Sequence, residues 1–451
     1  MPTYDLLNSF AHKFIRFGNT GTQLITISVY ILIAVLSVDT IINQISGALG
    51  IPFSGPVGIS SFVILSSMVI VCQLFVLYFV SKVSLGIRKK IRHIKRMHHA
   101  VTISQYSIII IFIFVMLEIV LTQQYSPISP FLVTMISYGL SISLMGIFTV
   151  IFLSWYWSNR SSILVLLYGL SFATVVIASL AILLVWIYIF GEKLSLPILP
   201  TSEVSFPSTE EGSIWKFFGK VYQYSDIASF FLKWGGTILI LYHYSSKLGK
   251  TKFWFLLSLP MAYFSTLLAL HFHIYEPHGE MESLVFIGIV ALNSTFGGIL
   301  FYLAFKLTSE NFESNEQIRN YLLMAGFGFM LFFSGTQSSL TSTAFPPFGF
   351  ATLSSYGLGS YLILLGLYLS ALSVSQDEQL RSMIKKSTLS ESKFLHSIGT
   401  AAGEQEKEMV NTVLNRVRKQ QERVAKDTGI VTSLSEEEIK DFVKDIENKK
   451  T

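Results

Sequence analysis

The densest group of residues able to do chemistry is His271-Phe272-His273-Ile274-Tyr275-Glu276-Pro277-His278-Gly279-Glu280. It holds three imidazoles and two carboxylates. On a helix, His271 and His273 would point about 200° apart and chelate poorly. Pro277 disfavours helix just before it. In an extended segment, alternation brings the two rings to one side. With His278 or a carboxylate they would then hold a divalent transition metal through imidazole and oxygen. The competing reading is an interfacial polar turn whose tips reach water, because no ligand spacing here matches a specific metal motif.

A second set lies inside apolar runs: Asp39, Glu118, Asp226, Lys233 and Gln337. Ionisable groups in hydrocarbon are costly and mark function by default. Their positions, near one end of each run, predict a polar ligand-binding layer open to the outside. The simpler reading for Lys233 is pairing, with Asp226 at i and i+7 or with Asp39 or Glu118 across helices. The centres of the runs carry almost nothing ionisable, which weighs against a proton-coupled pump. The chain has no G-x-x-x-x-G-K-[ST], H-E-x-x-H or G-x-S-x-G. His396 lacks the flanking Glu and Pro of a histidine-kinase phosphoacceptor. No catalytic residue is assigned, and the reading leans away from an enzyme.

The elements that must position these groups are membrane helices. The chain of 451 residues is 51% hydrophobic and only 14% charged, with mean hydropathy +0.55. A soluble domain carries about a quarter charged residues. Ten continuous apolar runs fit the ~20 residues a span needs, at 23–45, 58–83, 101–122, 131–156, 162–190, 227–245, 253–274, 283–305, 320–341 and 350–374. Continuous rather than alternating runs select helices over a barrel. The expected fold is therefore all-α: a short cytosolic segment 1–22, a transmembrane bundle over 23–374 and a cytosolic helical tail over 375–451. Asp5, Lys13 and Arg16 make 1–22 unlike a cleaved signal. A single cysteine, Cys72, excludes an intrachain disulfide and a thiol metal cluster.

Direction comes from the basic stretch 82–99, with Arg88, Lys89, Lys90, Arg92, Lys95 and Arg96 at its heart. With that stretch inside, every other short inner loop is also basic, so both termini are cytosolic in a cell membrane. Ile87, Ile91, Ile94 and Met97 recur at helical spacing among the cations, which predicts an amphipathic anchor on an anionic inner leaflet and not a nucleic-acid site. The outer loop 191–226 divides the spans five and five, in opposed orientation. Gly235-Gly236 would interrupt the sixth span as in a broken helix. Small residues at spacing four (Ser137 with Ser141, Gly139 with Ser143, Gly169 with Ala173) predict close helix packing. In the tail, 404–447 carries two short amphipathic helices, either packed on each other or docking a protein partner or second copy.

Ala344-Phe345-Pro346-Pro347-Phe348-Gly349, the following span and Ser373-Val374-Ser375-Gln376-Asp377-Glu378-Gln379-Leu380-Arg381 resemble a group of uncharacterised archaeal multi-pass membrane proteins. The resemblance covers the last third of the chain and implies a location and a helical architecture. Three functions follow as expectations. The first is a sensor or scaffold with an outward polar site and a docking tail. The second is a solute transporter of two opposed five-helix halves. The third is a membrane enzyme with an outward metal at His271, His273 and His278.

Overall fold

The computed structural model describes residues 18–49, 55–85, 91–126, 128–158, 163–194, 213–242, 249–271, 280–310, 312, 315–335 and 346–376. Among them there are ten long helices and no strand. They are α1 (Gly18–Leu49), α2 (Pro56–Val83), α3 (Arg92–Thr122), α4 (Ile128–Ser158), α5 (Ile163–Leu194), α6 (Ser213–Leu241), α7 (Lys250–His271), α8 (Glu280–Glu310), α9 (Glu316–Gly335) and α10 (Phe350–Gln376). Six of the ten, α1 to α5 and α10, are long and apolar enough to cross a membrane. Helix α6, which is not among the six, carries Lys216, Lys220, Asp226 and Lys233. Many large apolar side chains stay on the surface, among them Ile110, Phe114 and Leu121 of α3. A water-soluble protein would bury such a face.

Local sequence sets several boundaries. Pro56 starts α2 at a position where its missing N–H costs nothing. Asn315 caps α9 through its Oδ1, which accepts from the Ile318 N–H at 3.2 Å. Two expectations are corrected. Helix α6 begins at Ser213, well before position 227, so Asp226 lies inside the helix and does not open it. The intervening apolar residues Trp215, Phe217, Phe218 and Val221, with no proline, let the helix continue back. Gly235-Gly236 does not break α6 either. Gly236 instead admits the Tyr168 ring, which an added Cβ would meet at 3.1 Å.

The basic stretch also differs from a separate surface helix. Arg92, Lys95 and Arg96 form the first turns of α3, exposed and continuous with the apolar run. Ile94 is fully buried, and Ile91 and Met97 pack on the core. The apolar stripe thus faces protein, since neither Gly nor Pro separates Arg92 from Thr122. Arg88, Lys89 and Lys90 lie outside the described residues.

The packing has a ring and a centre. Helices α1, α2, α3, α4, α5, α6 and α8 contact one another in that order, and α8 closes back on α1. The neighbours α9 and α10 sit inside, and α7 packs on α8 from without. Accordingly 83% of the apolar stretch of α10 is buried, against 33% for α3. Glycine makes the central pair possible. A Cβ on Gly328 of α9 would lie 2.6 Å from the Ile363 backbone nitrogen, and one on Gly366 of α10 would lie 2.6 Å from that of Ala325. Backbones at this distance tolerate only a hydrogen side chain. The predicted small-residue faces serve the same end at Ser137, Ser141 and Gly169, whereas Gly139 meets nothing within 4 Å.

Candidate functional site

Helix α10 would be an ordinary apolar span but for Thr352, Ser354, Ser355, Tyr356, Ser360 and Tyr361. All six are buried. In hydrocarbon such groups must find partners within the protein, and each does so on the surrounding ring.

Asp39 of α1 meets the first turn of α10. Its Oδ2 accepts from the Thr352 backbone N–H at 3.2 Å and from the Thr352 hydroxyl at 3.0 Å. The backbone N–H groups of Gly349 and Ala351 bond to the same carboxylate. Those N–H groups have no partner within their own helix, and the positive end of the helix dipole favours an anion there. Asp39 is therefore an N-cap supplied by another helix. The turn before α10 fits this arrangement tightly. Gly349 has φ +89°, and a Cβ there would be 2.8 Å from the Asn43 side chain.

One turn on, Gln73 of α2 donates to the Ser354 hydroxyl at 2.7 Å and the Ser355 hydroxyl at 3.0 Å. Gln105 of α3 donates to Gln73 Oε1 at 2.8 Å. Its own Oε1 is buried with no hydrogen-bond partner among the described residues. Ser137 of α4 donates to the Leu353 carbonyl at 2.7 Å, and Ser141 and Ser360 share a 2.7 Å contact. Further toward Gln376, His98 Nδ1 and the Tyr361 hydroxyl are 2.7 Å apart. His93 and Tyr368 repeat that contact at 3.3 Å.

Tyr356 of α10 faces a small cavity between α4, α5, α6, α9 and α10. Tyr138, Ser179, Tyr222, Asp226, Phe332 and Tyr356 line it. Val175 and Ala178 of α5 close its apolar side. Its enclosed space is that of about one water molecule. The rings form a column: Tyr138 and Tyr356 have centroids 4.8 Å apart, and Tyr356 stacks on Phe332 at 4.7 Å. The buried ammonium of Lys233 lies 4.9 Å from the Phe332 centroid, in a cation–π contact. Ser179 and Tyr356 join hydroxyls at 3.1 Å. The Asp226 carboxylate acts electrostatically on Tyr138, Tyr356 and Lys233 alike.

Of the five expected ligand residues, Asp226 and Lys233 therefore share one neighbourhood, on one face of α6. Asp39 is set apart from them at the start of α10. Glu118 lies near the Thr122 end of α3, where its Oε2 is buried without a hydrogen-bond partner among the described residues. Gln337, His273 and His278 fall outside the described residues, and His271 is placed only as the last residue of α7. No group of three or more His, Cys, Asp or Glu able to hold a metal occurs among the described residues.

No family model, curated protein or solved structure matches this chain. Function must be read from the geometry.

Sequence reasoning from ionisable groups missed the tyrosines and Gln73, Gln105 and His98. The available signal was a neutral polar residue within an apolar run, spaced to face a serine-rich helix.

Proposed function

We propose that this chain is a polytopic membrane sensor or scaffold of ten spans in a cell membrane, with both termini cytosolic. A polar pocket toward the outside takes a small ligand, and α10 carries its state to the tail, where 404–447 docks a partner or a second copy. The observation that supports this is the double membership of Tyr356. It lines the cavity and belongs to α10, the helix at the centre of the bundle that leads into the polar tail. The backbone-to-backbone fit of α9 and α10 fills the middle of the bundle, which favours this reading over a solute transporter.

The test uses the full chain in lipid nanodiscs, in a Cys72→Ser background, with spin labels at Lys95 and Ser382. Asp226→Asn and Tyr356→Leu are expected to shift the label-to-label distance distribution. Unchanged distributions in both folded variants would overturn the coupling. Solute uptake by the purified protein in liposomes would move the assignment to a transporter.

A further inference from the structure

The cavity beside α10 has a definite chemistry. Its charged wall is one carboxylate, Asp226, and its other walls are rings and hydroxyls: Tyr138, Tyr222, Tyr356, Phe332 and Ser179. Lys233 is not among the lining residues; its ammonium is held at the Phe332 ring. An anion entering here would be repelled by the carboxylate, and a cation would be attracted to it.

Size and hydrogen bonding narrow the class further. The enclosed space matches one water-sized group. A methylated quaternary ammonium is too large for it. A bare metal cation gains little from ring edges and wants several hard oxygens. A primary ammonium group is about the size of water, donates three hydrogen bonds and tolerates an aromatic neighbour. Asp226, the hydroxyls of the lining tyrosines and Ser179 are acceptors suited to those donors. The protein already shows that this ring column accepts such a group, since Lys233 presents its own ammonium at the Phe332 end.

We propose that the cavity between α4, α5, α6, α9 and α10 binds a primary ammonium group: ammonium, methylammonium, or the head of a longer amine whose chain leaves by the mouth. The assignment names the ligand class of the sensor pocket and rests on that reading for its biological meaning, not for its binding chemistry. Asp226 also has interactions within the protein, so the ligand shares this carboxylate. Lys233 competes electrostatically for the same charge. Removing the Lys233 charge therefore strengthens binding, an effect that a merely structural lysine would not produce.

The test titrates the full chain in nanodiscs with ¹³C-methylammonium at constant ionic strength, reading line broadening of the methyl signal. Parallel arms use ammonium, potassium and tetramethylammonium chloride as competitors, and butylamine as a longer amine. Broadening is expected with the wild type, and unlabelled ammonium relieves it. Asp226→Asn weakens binding by about 10- to 100-fold, as loss of a charged hydrogen-bond acceptor does. Tyr138→Phe, which keeps the ring, weakens it by only about threefold, the size of a single neutral hydrogen bond. Lys233→Met tightens it. Relief by butylamine places the head of a longer amine within the class; its failure restricts the ligand to ammonium and methylammonium, and both results support the proposal. Absence of broadening in the wild type overturns it. So does equal competition by potassium or tetramethylammonium, or an unchanged affinity in Asp226→Asn with a wild-type unfolding midpoint. Spin-label distances keep this result separate from the sensor reading. Binding without a distance change sinks the coupling alone, and distance changes in the pocket variants without methylammonium binding sink the ligand class alone.

Discussion

Two faces of α10 are built on different rules. Toward α1, α2, α3 and α4, its polar atoms are joined to partners: Thr352 to Asp39, Ser354 to Gln73, Ser360 to Ser141 and Tyr361 to His98. Toward α5, α6 and α9, the same helix contributes Tyr356, joined to Ser179, to a hollow edged by a carboxylate. The first face fixes where the helix sits. The second joins one hydroxyl pair and leaves the other groups arranged around a space. Single hydrogen bonds between membrane helices are worth only ~0.6 kcal/mol on average. The joined face therefore specifies register more than it supplies strength, and close glycine packing carries more of the energy.

That ordering can be broken deliberately. The largest loss is expected where backbones touch. Gly366→Val or Gly328→Val would force side-chain atoms into the facing backbone and cost more than ~3 kcal/mol, the upper end for overpacking. Unfolding in mixed micelles should show this as loss of the native fraction. Wild-type stability in both variants would mean that α9 and α10 do not meet as described.

Next comes the cap. Asp39→Ala leaves several buried N–H groups at the head of α10 without their acceptor and should cost roughly 2–4 kcal/mol. Asp39→Asn keeps one oxygen in place and should cost about half as much. The same unfolding measurement separates the two, and equal losses would point to charge rather than hydrogen bonding.

Smaller effects discriminate within the joined face. Gln73→Leu alone removes the donor to Ser354 and Ser355 and the acceptor of the Gln105 amide, which keep only their bonds to the Ala351 and Ser354 carbonyls, at about 1 kcal/mol. The double variant Gln73→Leu with Gln105→Leu removes both long polar side chains and should cost less than the sum of the singles. A double-mutant cycle reads the coupling; strict additivity would dissolve the network. On the cavity face, Tyr138→Phe should change stability by under ~1 kcal/mol, because ring packing is retained. A loss as large as that of Asp39→Ala would erase the distinction between the faces.

Much of this architecture was legible in the sequence. Continuous apolar runs anticipated helices at every observed position, since the lipid solvent leaves few alternatives. Boundaries failed where a helix continues through polar residues, as at Ser213–Asp226 and at Arg92. Hydropathy marks the apolar core of a helix, while the helix itself ends at a cap or breaker. Asp226 and Lys233 stood out because buried charge is rare. Asp39 stood out for the same reason, yet its partners are backbone N–H groups more than three hundred residues away. No local pattern encodes that pairing. The tyrosine column was invisible for a related reason: a tyrosine in an apolar run reads as an interfacial or lipid-facing residue until its neighbours are known.

The cap on α10 also bears on how the protein is made. A ribosome delivers α1 early and α10 only after the nine helices that come to enclose or flank it. Until then Asp39, Gln73, Ser141 and His98 face an unfilled interior, and polar groups in that condition are marks by which membrane quality-control machinery selects clients. Chains truncated before Phe350 should therefore be degraded rather than accumulate as stable fragments. Co-expression of 346–451 as a separate piece should rescue them by completing the bundle from within.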